Sequence, residues 1–188
     1  MHPTLERIPS DEHLPHEVDV VVIGGGIVGA SATYFLARAG KTVALVEKGF
    51  VGAEQSSRNW GWCRQQNRDA RELPLAIQSM ALWDRLSGEI GRDLGFRRCG
   101  LIYATTDANQ IAQWEAWRTV AREFGVDTRM LTAAEARAMS TSSARTWLGG
   151  IHSVTDGKAE PALAAPRLAL GARERGATIH QTCAARSL

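Results

Sequence analysis

Three glycines near the N-terminus have the spacing of a phosphate-binding turn. Gly24, Gly26 and Gly29 form a GxGxxG pattern directly after the apolar run Val20–Ile23. In such a turn the first glycine allows a tight bend and the second lets a pyrophosphate approach the backbone. The third lets the following helix pack closely on the strand. The pattern therefore predicts that the pyrophosphate of a dinucleotide binds at these residues.

An acidic residue stands where the second strand of such a unit would end. Glu47 lies about twenty residues past the glycines, and its carboxylate is expected to accept hydrogen bonds from the adenosine ribose hydroxyls. Its negative charge would repel a 2′-phosphate, which disfavours NADP. The predicted cofactor site also includes Ile27 and Val28, which lie between the second and third glycines, and Lys48, which follows Glu47.

These residues require a beta-alpha-beta unit to position them. Val20–Ile23 is typical of a parallel strand buried on both faces, and a helix is predicted from residue 27 to residue 39, before Gly40. A second strand is predicted over residues 42–46. The amides at the N-terminus of the helix would point at the phosphates. The alternative is a glycine-rich turn in an unrelated α/β protein. The occurrence of strand, glycines, helix, second strand and acidic residue in this order favours a Rossmann-like fold.

The next part of the chain resembles a known family. Residues 49–66, GFVGAEQSSRNWGWCRQQ, are similar to the flavin-contacting loop of the D-amino acid oxidase family of FAD-dependent oxidoreductases. That family includes glycine, sarcosine and D-amino acid oxidases. A second similarity lies further on, in Asp156, Gly157, Glu160 and Pro161, followed by GATIH at Gly176–His180. The resemblance covers residues 18–188 and implies FAD as the cofactor.

The resemblance also implies roles for residues of the loop. Ser56 and Ser57 would lie beside the pyrophosphate and ribityl chain, and Arg58 would neutralise phosphate charge. Trp60, Gly61 and Trp62 would lie along the isoalloxazine edge. The alternative is a solvated turn with both indoles buried as core, and for the two tryptophans neither interpretation is favoured. Near the C-terminus, Ala184 and Ala185 match the strand where the family's backbone meets adenine.

No catalytic residue is assigned, and one residue is a candidate contact for the substrate. The resemblance implies that Arg64 reaches a substrate carboxylate, for which a bidentate guanidinium is suited. The favoured alternative is an exposed arginine on a hydrophilic stretch with Arg68 and Arg71.

Composition limits the classes of function. The formal net charge is +2 and no basic stripe with interleaved aromatic residues indicates nucleic-acid binding. Cys63, Cys99 and Cys183 lack metal-ligand spacing and fit a reducing compartment. No uninterrupted run of eighteen apolar residues is present, so we expect no membrane span and a cytoplasmic location. Residues 1–17 are expected to form a flexible leader.

The family's organisation implies an incomplete, interleaved protein. We expect a first part of the FAD-binding domain at residues 18–70, the start of a mixed-sheet substrate domain at 71–155, and a truncated return to the FAD-binding domain at 156–188. The implied activity is oxidation of an amine or amino acid, with hydride transfer from the α-carbon to flavin and reoxidation by oxygen or a quinone-linked acceptor. The alternatives are an NAD-dependent dehydrogenase and a non-catalytic truncated subunit that needs a partner chain.

Overall fold

The computed structural model describes residues 4–140 and 145–187. Within them the elements occur in the following chain order: β1 Val20–Ile23, α1 Ile27–Arg38, β2 Val43–Val46, a 3-10 turn Gln55–Ser57, β3 Trp62–Cys63, α2 Leu73–Ile90, β4 Leu101–Thr105, α3 Ala108–Glu123, β5 Thr128–Thr132, α4 Ala133–Met139, β6 Gly149–Ser153, β7 Gly157–Lys158, α5 Pro161–Arg173 and β8 Thr178–His180.

The chain divides into two compact units that alternate along the sequence. Unit 1 consists of the residues up to Gly61, Arg85–Phe96 and the residues from Ala159 onward. Unit 2 consists of Trp62–Asp84 and Arg97–Lys158. The expected boundaries after residues 70 and 155 differ from these, and residues 85–96 were not expected in unit 1. These residues carry the buried Ile90, whose side chain contacts α5 at Gly171.

Unit 1 contains a parallel sheet in the order β1-β2-β8. Val20 pairs with Val43, and Ala44 pairs with Thr178, so the central strand β2 bonds to both neighbours. All four residues of β2 are buried, as expected of a strand covered on both faces. Helices α1 and α5 pack together, and a Cβ added at Gly171 would lie 3.3 Å from Cε2 of the buried Tyr34.

The segment before β1 is packed, which differs from the expected flexible leader. Ile8 is buried, and Glu6 and Asp11 form ion pairs with Arg167 and Arg173 of α5. The acidic side chains of this segment hold it in place, because they form ion pairs with basic residues of α5. The flexible leader was expected because the segment is polar, and low hydrophobicity does not reveal such ion pairs.

Unit 2 contains a three-stranded sheet in the order β4-β6-β5 and the short pair β3-β7. In this expected start of a mixed-sheet domain, the pairings among the described strands are antiparallel. A core cluster joins α2 and α3 through Leu73, Ala121 and Val126, with Trp117 packed against it. Asp107 caps α3, and Thr132 opens α4 with a reciprocal capping box.

Candidate cofactor-binding site

The turn between β1 and α1 has no room for a side chain at Gly29. Gly24 has φ +102°, a conformation that favours glycine, and its N–H donates to the Val46 carbonyl at 2.8 Å. A Cβ added at Gly29 would lie 1.9 Å from the Gly24 carbonyl oxygen. The first turn of α1 therefore lies directly against the end of β1, as the glycine spacing predicts.

The N-terminus of α1 is open and carries a hydroxyl from a distant segment. Gly26 is the N-cap and provides no side-chain cap, and a Cβ there would lie 3.2 Å from Oγ of Ser56. The Ile27 N–H donates to that Ser56 oxygen at 2.8 Å. Val28 is 80% exposed. Backbone amides and a hydroxyl at the positive end of a twelve-residue helix form a suitable cradle for a phosphate.

Glu47 is held by two backbone amides. Its carboxylate is buried, and Oε2 accepts from the Gly25 N–H at 2.7 Å while Oε1 accepts from the Gly49 N–H at 2.7 Å. Each carboxylate oxygen has a second lone pair, so these bonds leave capacity for a ribose hydroxyl. Lys48 beside it is exposed. The sequence pattern did not predict that Glu47 also holds the glycine-rich turn.

Asn59 organises the loop that follows the 3-10 turn, and the sequence analysis missed it. Its Nδ2 donates to the carbonyls of Gln55 at 3.2 Å and Ser56 at 2.9 Å. Its Oδ1 accepts from the Gly61 N–H at 2.7 Å. An asparagine that bonds the backbone two residues later is a known turn signal, and this signal could have identified it.

Gly61 lies where the loop runs against the segment before α5. It has φ +72°, and a Cβ there would lie 2.1 Å from the Ala159 carbonyl oxygen. The Gly61 carbonyl in turn accepts from the Ala159 N–H at 2.9 Å. Gly61 therefore permits a close backbone approach, although the approach observed is to the protein's own chain.

The remaining predicted residues of the loop have different surroundings. Ser57 Oγ donates to the Glu54 carbonyl at 3.3 Å, and Arg58 forms an exposed ion pair with Glu54 at 3.2 Å. Trp60 is 78% exposed, so the alternative of core packing does not hold for this indole. A large exposed aromatic side chain provides an apolar surface suited to contact with a planar ligand.

Trp62 and Arg64 belong to unit 2, whereas the other predicted cofactor residues lie in unit 1. Trp62 is 47% exposed and its ring centroid lies 6.0 Å from that of Tyr103. Arg64 is half-buried, and its Nη1 donates to the Gln66 carbonyl at 2.6 Å. It therefore differs from the exposed arginine of the favoured alternative. Burial raises the pKa of the Tyr103 phenol, and the charge of Arg64 opposes this effect.

A buried carboxylate fixes the backbone that follows β3. Asp156 is fully buried, and its two oxygens accept from the Gln65 N–H at 2.8 Å and the Gln66 N–H at 3.0 Å. Charge-assisted bonds of this kind satisfy a buried carboxylate. This residue, noted in the sequence only as part of a motif, thus sets the chain path directly beyond Arg64.

Ala184 and Ala185 do not lie in a strand. Strand β8 ends at His180, and both alanines are exposed residues outside regular structure. After β8 the backbone bonds to the loop beyond β2 instead: the Thr182 N–H donates to the Gly49 carbonyl and the Cys183 N–H to the Glu47 carbonyl. This change of partner ends the strand pairing, and the expected strand position for Ala185 is corrected accordingly.

Within residues 4–140 and 145–187, no group of three or more His, Cys, Asp and Glu side chains could hold a metal ion. No helix in the same residues is both long and apolar enough to cross a membrane.

Comparisons with known proteins identify relatives of this chain. Glycine oxidase from Geobacillus kaustophilus is 31% identical over 176 residues, which cover 89% of this chain and 47% of that protein. Its crystal structure matches with a TM-score of 0.82. The L-amino acid deaminase structure from Proteus myxofaciens, in complex with anthranilate, has a TM-score of 0.90 and 29% identity, covering 98% of this chain and 42% of that one.

The chain spans about half the length of these relatives. Human mitochondrial sarcosine dehydrogenase is also similar, with 25% identity over 173 residues. The sequence profile of the FAD dependent oxidoreductase (DAO) family matches residues 19–188. The chain therefore belongs to the DAO family of FAD-dependent oxidoreductases.

Proposed function

We propose that this chain binds FAD and forms part of an enzyme that oxidises an amine or amino acid. The observation that carries the proposal is the open N-terminus of α1. There the Gly24–Gly29 turn admits no side chain at Gly29, and the Ser56 hydroxyl accepts from the Ile27 N–H. Family membership identifies FAD as the dinucleotide for which this cradle is suited.

The residues of unit 1 fit the two ends of such a cofactor. The Val28 amide and the Ser56 hydroxyl would hold the pyrophosphate, while the Ile27 N–H donates to the Ser56 oxygen and so positions that hydroxyl. Arg58 is close enough in sequence to add positive charge. Glu47 keeps acceptor capacity for ribose hydroxyls. The exposed Trp60 would provide an apolar surface for the ring system.

The chemistry that FAD supplies when bound is acceptance of a hydride from the carbon beside the amine nitrogen, which leaves an imine for water to hydrolyse. The residues of this chain would bind the cofactor and orient the substrate. Arg64, with one guanidinium nitrogen bonded to Gln66, would present its remaining donors to a substrate carboxylate. Asp156 would keep this arginine in place through the adjacent backbone.

The names of two relatives, glycine oxidase and L-amino acid deaminase, support a small amine or amino acid as the substrate of the enzyme.

We propose oxygen or a quinone-linked carrier as the electron acceptor and the cytoplasm as the location. We also propose that units 1 and 2 correspond to FAD-binding and substrate domains. Because the chain spans about half of its relatives, catalysis would need a longer protein or a partner chain.

A titration of the chain with FAD tests the cofactor assignment. We expect quenching of flavin fluorescence and a retained flavin absorption spectrum after desalting, and no displacement by excess NAD⁺. The Gly26→Val variant should lose this binding, because its side chain would fill the space beside Ser56 that the pyrophosphate needs. Gly88→Ala is the matched control, since a Cβ at this helical glycine meets nothing within 4 Å. Undiminished FAD binding by Gly26→Val would contradict the site, and tight NAD⁺ binding without flavin binding would favour the NAD-dependent alternative.

A further inference from the structure

The segment before β1 repairs a gap in the hydrogen bonding of α5. Pro166 lies inside this helix and has no N–H, so the Ala162 carbonyl lacks its usual donor four residues later. The Glu6 N–H donates to that carbonyl at 3.1 Å. The Glu6 carboxylate also pairs with Arg167 at 2.7 Å. We call residues 5–11 the N-terminal strap.

The strap continues along the free side of β8. The Asp11 N–H donates to the Ile179 carbonyl at 2.7 Å, and Oδ2 of Asp11 accepts from the Ile179 N–H at 2.8 Å. Ser10 Oγ accepts from the Gln181 N–H at 3.0 Å. The strap thus satisfies backbone groups that an edge strand would otherwise expose.

Gln181 connects the strap to the loop beyond β2. This side chain is 8% exposed; its Nε2 donates to the Ile8 carbonyl at 2.9 Å and its Oε1 accepts from the Val51 N–H at 3.0 Å. The next residue of the loop, Gly52, donates its N–H to the Gly25 carbonyl at 2.9 Å. A continuous set of hydrogen bonds therefore runs from Ile8 to the glycine-rich turn.

A second contact joins the strap to the same loop. The Arg7 guanidinium lies 3.8 Å from the centroid of the Phe50 ring, within cation–π range. A Cβ at Gly52 would lie 3.2 Å from Cδ1 of Leu5. The strap thus touches residues 50–52 through side chains as well as through Gln181.

We propose that the N-terminal strap positions the loop of residues 47–52 for the adenosine half of FAD, and that Gln181 is the positioning residue through which it acts. The inference rests on the proposed function, because it assigns Glu47 to the ribose. A buried amide that bonds two segments on opposite sides restrains both of them. Without the strap, the loop would keep its bonds to the turn but lose the restraint on Val51.

The test compares three ligands that share parts of FAD. In the full chain, Gln181→Leu should weaken binding of FAD and of ADP by roughly tenfold, because the loop that receives the adenosine is no longer held. Binding of FMN, which lacks adenosine, should change by less than about twofold. Gln113→Leu, which replaces an exposed glutamine of α3, is the matched control and should leave all three dissociation constants unchanged.

A second variant keeps Gln181 and removes the strap. Deletion of residues 1–9 eliminates the Ile8 carbonyl and should produce the same selective loss for FAD and ADP. Equal weakening of FAD, ADP and FMN would indicate a merely structural role and would overturn the inference, as would unchanged affinities in both variants. Failure of the unaltered chain to bind FAD would instead overturn the proposed function itself, and the inference with it.

Discussion

At the level of single residues, Gly29 is the glycine of the candidate turn and loop where an added Cβ would come closest to the backbone, at the Gly24 carbonyl oxygen. A clash there cannot be relieved by a side-chain rotation, because the added Cβ would lie 1.9 Å from the backbone oxygen of Gly24. The GxGxxG spacing predicted this contact correctly, since the tasks of its glycines are local and fixed by the turn itself.

We expect Gly29→Ala to lower the free energy of unfolding by about 2 to 3 kcal/mol, as overpacking against backbone usually does. Urea unfolding followed by circular dichroism measures the change. Gly88→Ala should be neutral or stabilising by up to about 1 kcal/mol, because alanine has the higher helix propensity and the site is open. Equal stability of Gly29→Ala and the unaltered chain would show that β1 and α1 can separate without cost.

Glu47 and Asn59 make one contact that could not be predicted at this scale and one that could. Glu47 was identified from its distance to the glycines, yet its bond to Gly25 spans 22 residues and depends on how β2 lies beside β1. Asn59 bonds within its own turn and was detectable in principle. It was overlooked because the neighbouring serines and tryptophans fitted the family resemblance.

At the level of elements, local signals predicted helices better than short strands. The helix expected over residues 27–39 is observed as Ile27–Arg38, and α4 opens with the Thr132–Glu135 capping box, whose residue types and spacing are a local signal for a helix start. Strand β3 has two residues and exists through pairing with Lys158 and Gly157, nearly a hundred positions later. No local pattern encodes such a pairing.

Helix α5 shows the same dependence on distant partners. A proline at position 166 predicts that the helix either begins later or is kinked; the later start is wrong, because the helix begins at Pro161 and includes Pro166. A proline interrupts a helix partly through the carbonyl it leaves without a donor. Here a residue about 160 positions earlier supplies that donor, so the sequence near Pro166 could not indicate the outcome.

The capping box of α4 makes a prediction about pH. Hydrogen bonds from the Thr132 N–H, Arg129 and the Thr132 hydroxyl lower the pKa of Glu135 from 4.5 to about 2. The folded state therefore favours the carboxylate, and its contribution to stability is complete above about pH 4.5 and is lost as the pH falls through about 2. In Glu135→Gln this contribution is absent at every pH.

The difference in melting temperature between the unaltered chain and Glu135→Gln should therefore be largest near pH 6 and should shrink steadily toward pH 2. Thermal unfolding at a series of pH values measures it. Glu123→Gln, at another exposed acidic position, provides the control for general charge effects. A difference that stays constant from pH 6 to pH 2 would contradict the capping role of the carboxylate.

At the level of the whole molecule, the parallel sheet keeps apolar side chains in contact with solvent. Val21 and Ile23 of β1 are 56% and 54% exposed, while Val20 and Val22 point to the more buried side. The alternation was not predicted, because an unbroken apolar run was interpreted as a strand buried on both faces. Exposed apolar strands of this kind promote association between molecules.

We expect Val21→Lys to reduce concentration-dependent association of the chain with a melting temperature within about 2 °C of the unaltered value, since surface substitutions usually have small effects. Size-exclusion chromatography over a range of concentrations, with light scattering, measures the association. Val22→Lys is the paired variant and should be strongly destabilised, because Val22 Cγ1 lies close to Gly29. Destabilisation of both variants to the same extent would show that Val21 is packed.

The alternation of the two units along the chain has a consequence for protein synthesis. Strand β2 emerges from the ribosome early, but its partner Thr178 follows Ala44 by more than 130 residues. At elongation rates of about 5 to 20 residues per second the ribosome needs roughly 7 to 27 seconds to add that length. The buried strand at the centre of unit 1 thus remains half-paired throughout translation of unit 2, and this nascent intermediate is the species with which chaperones would engage.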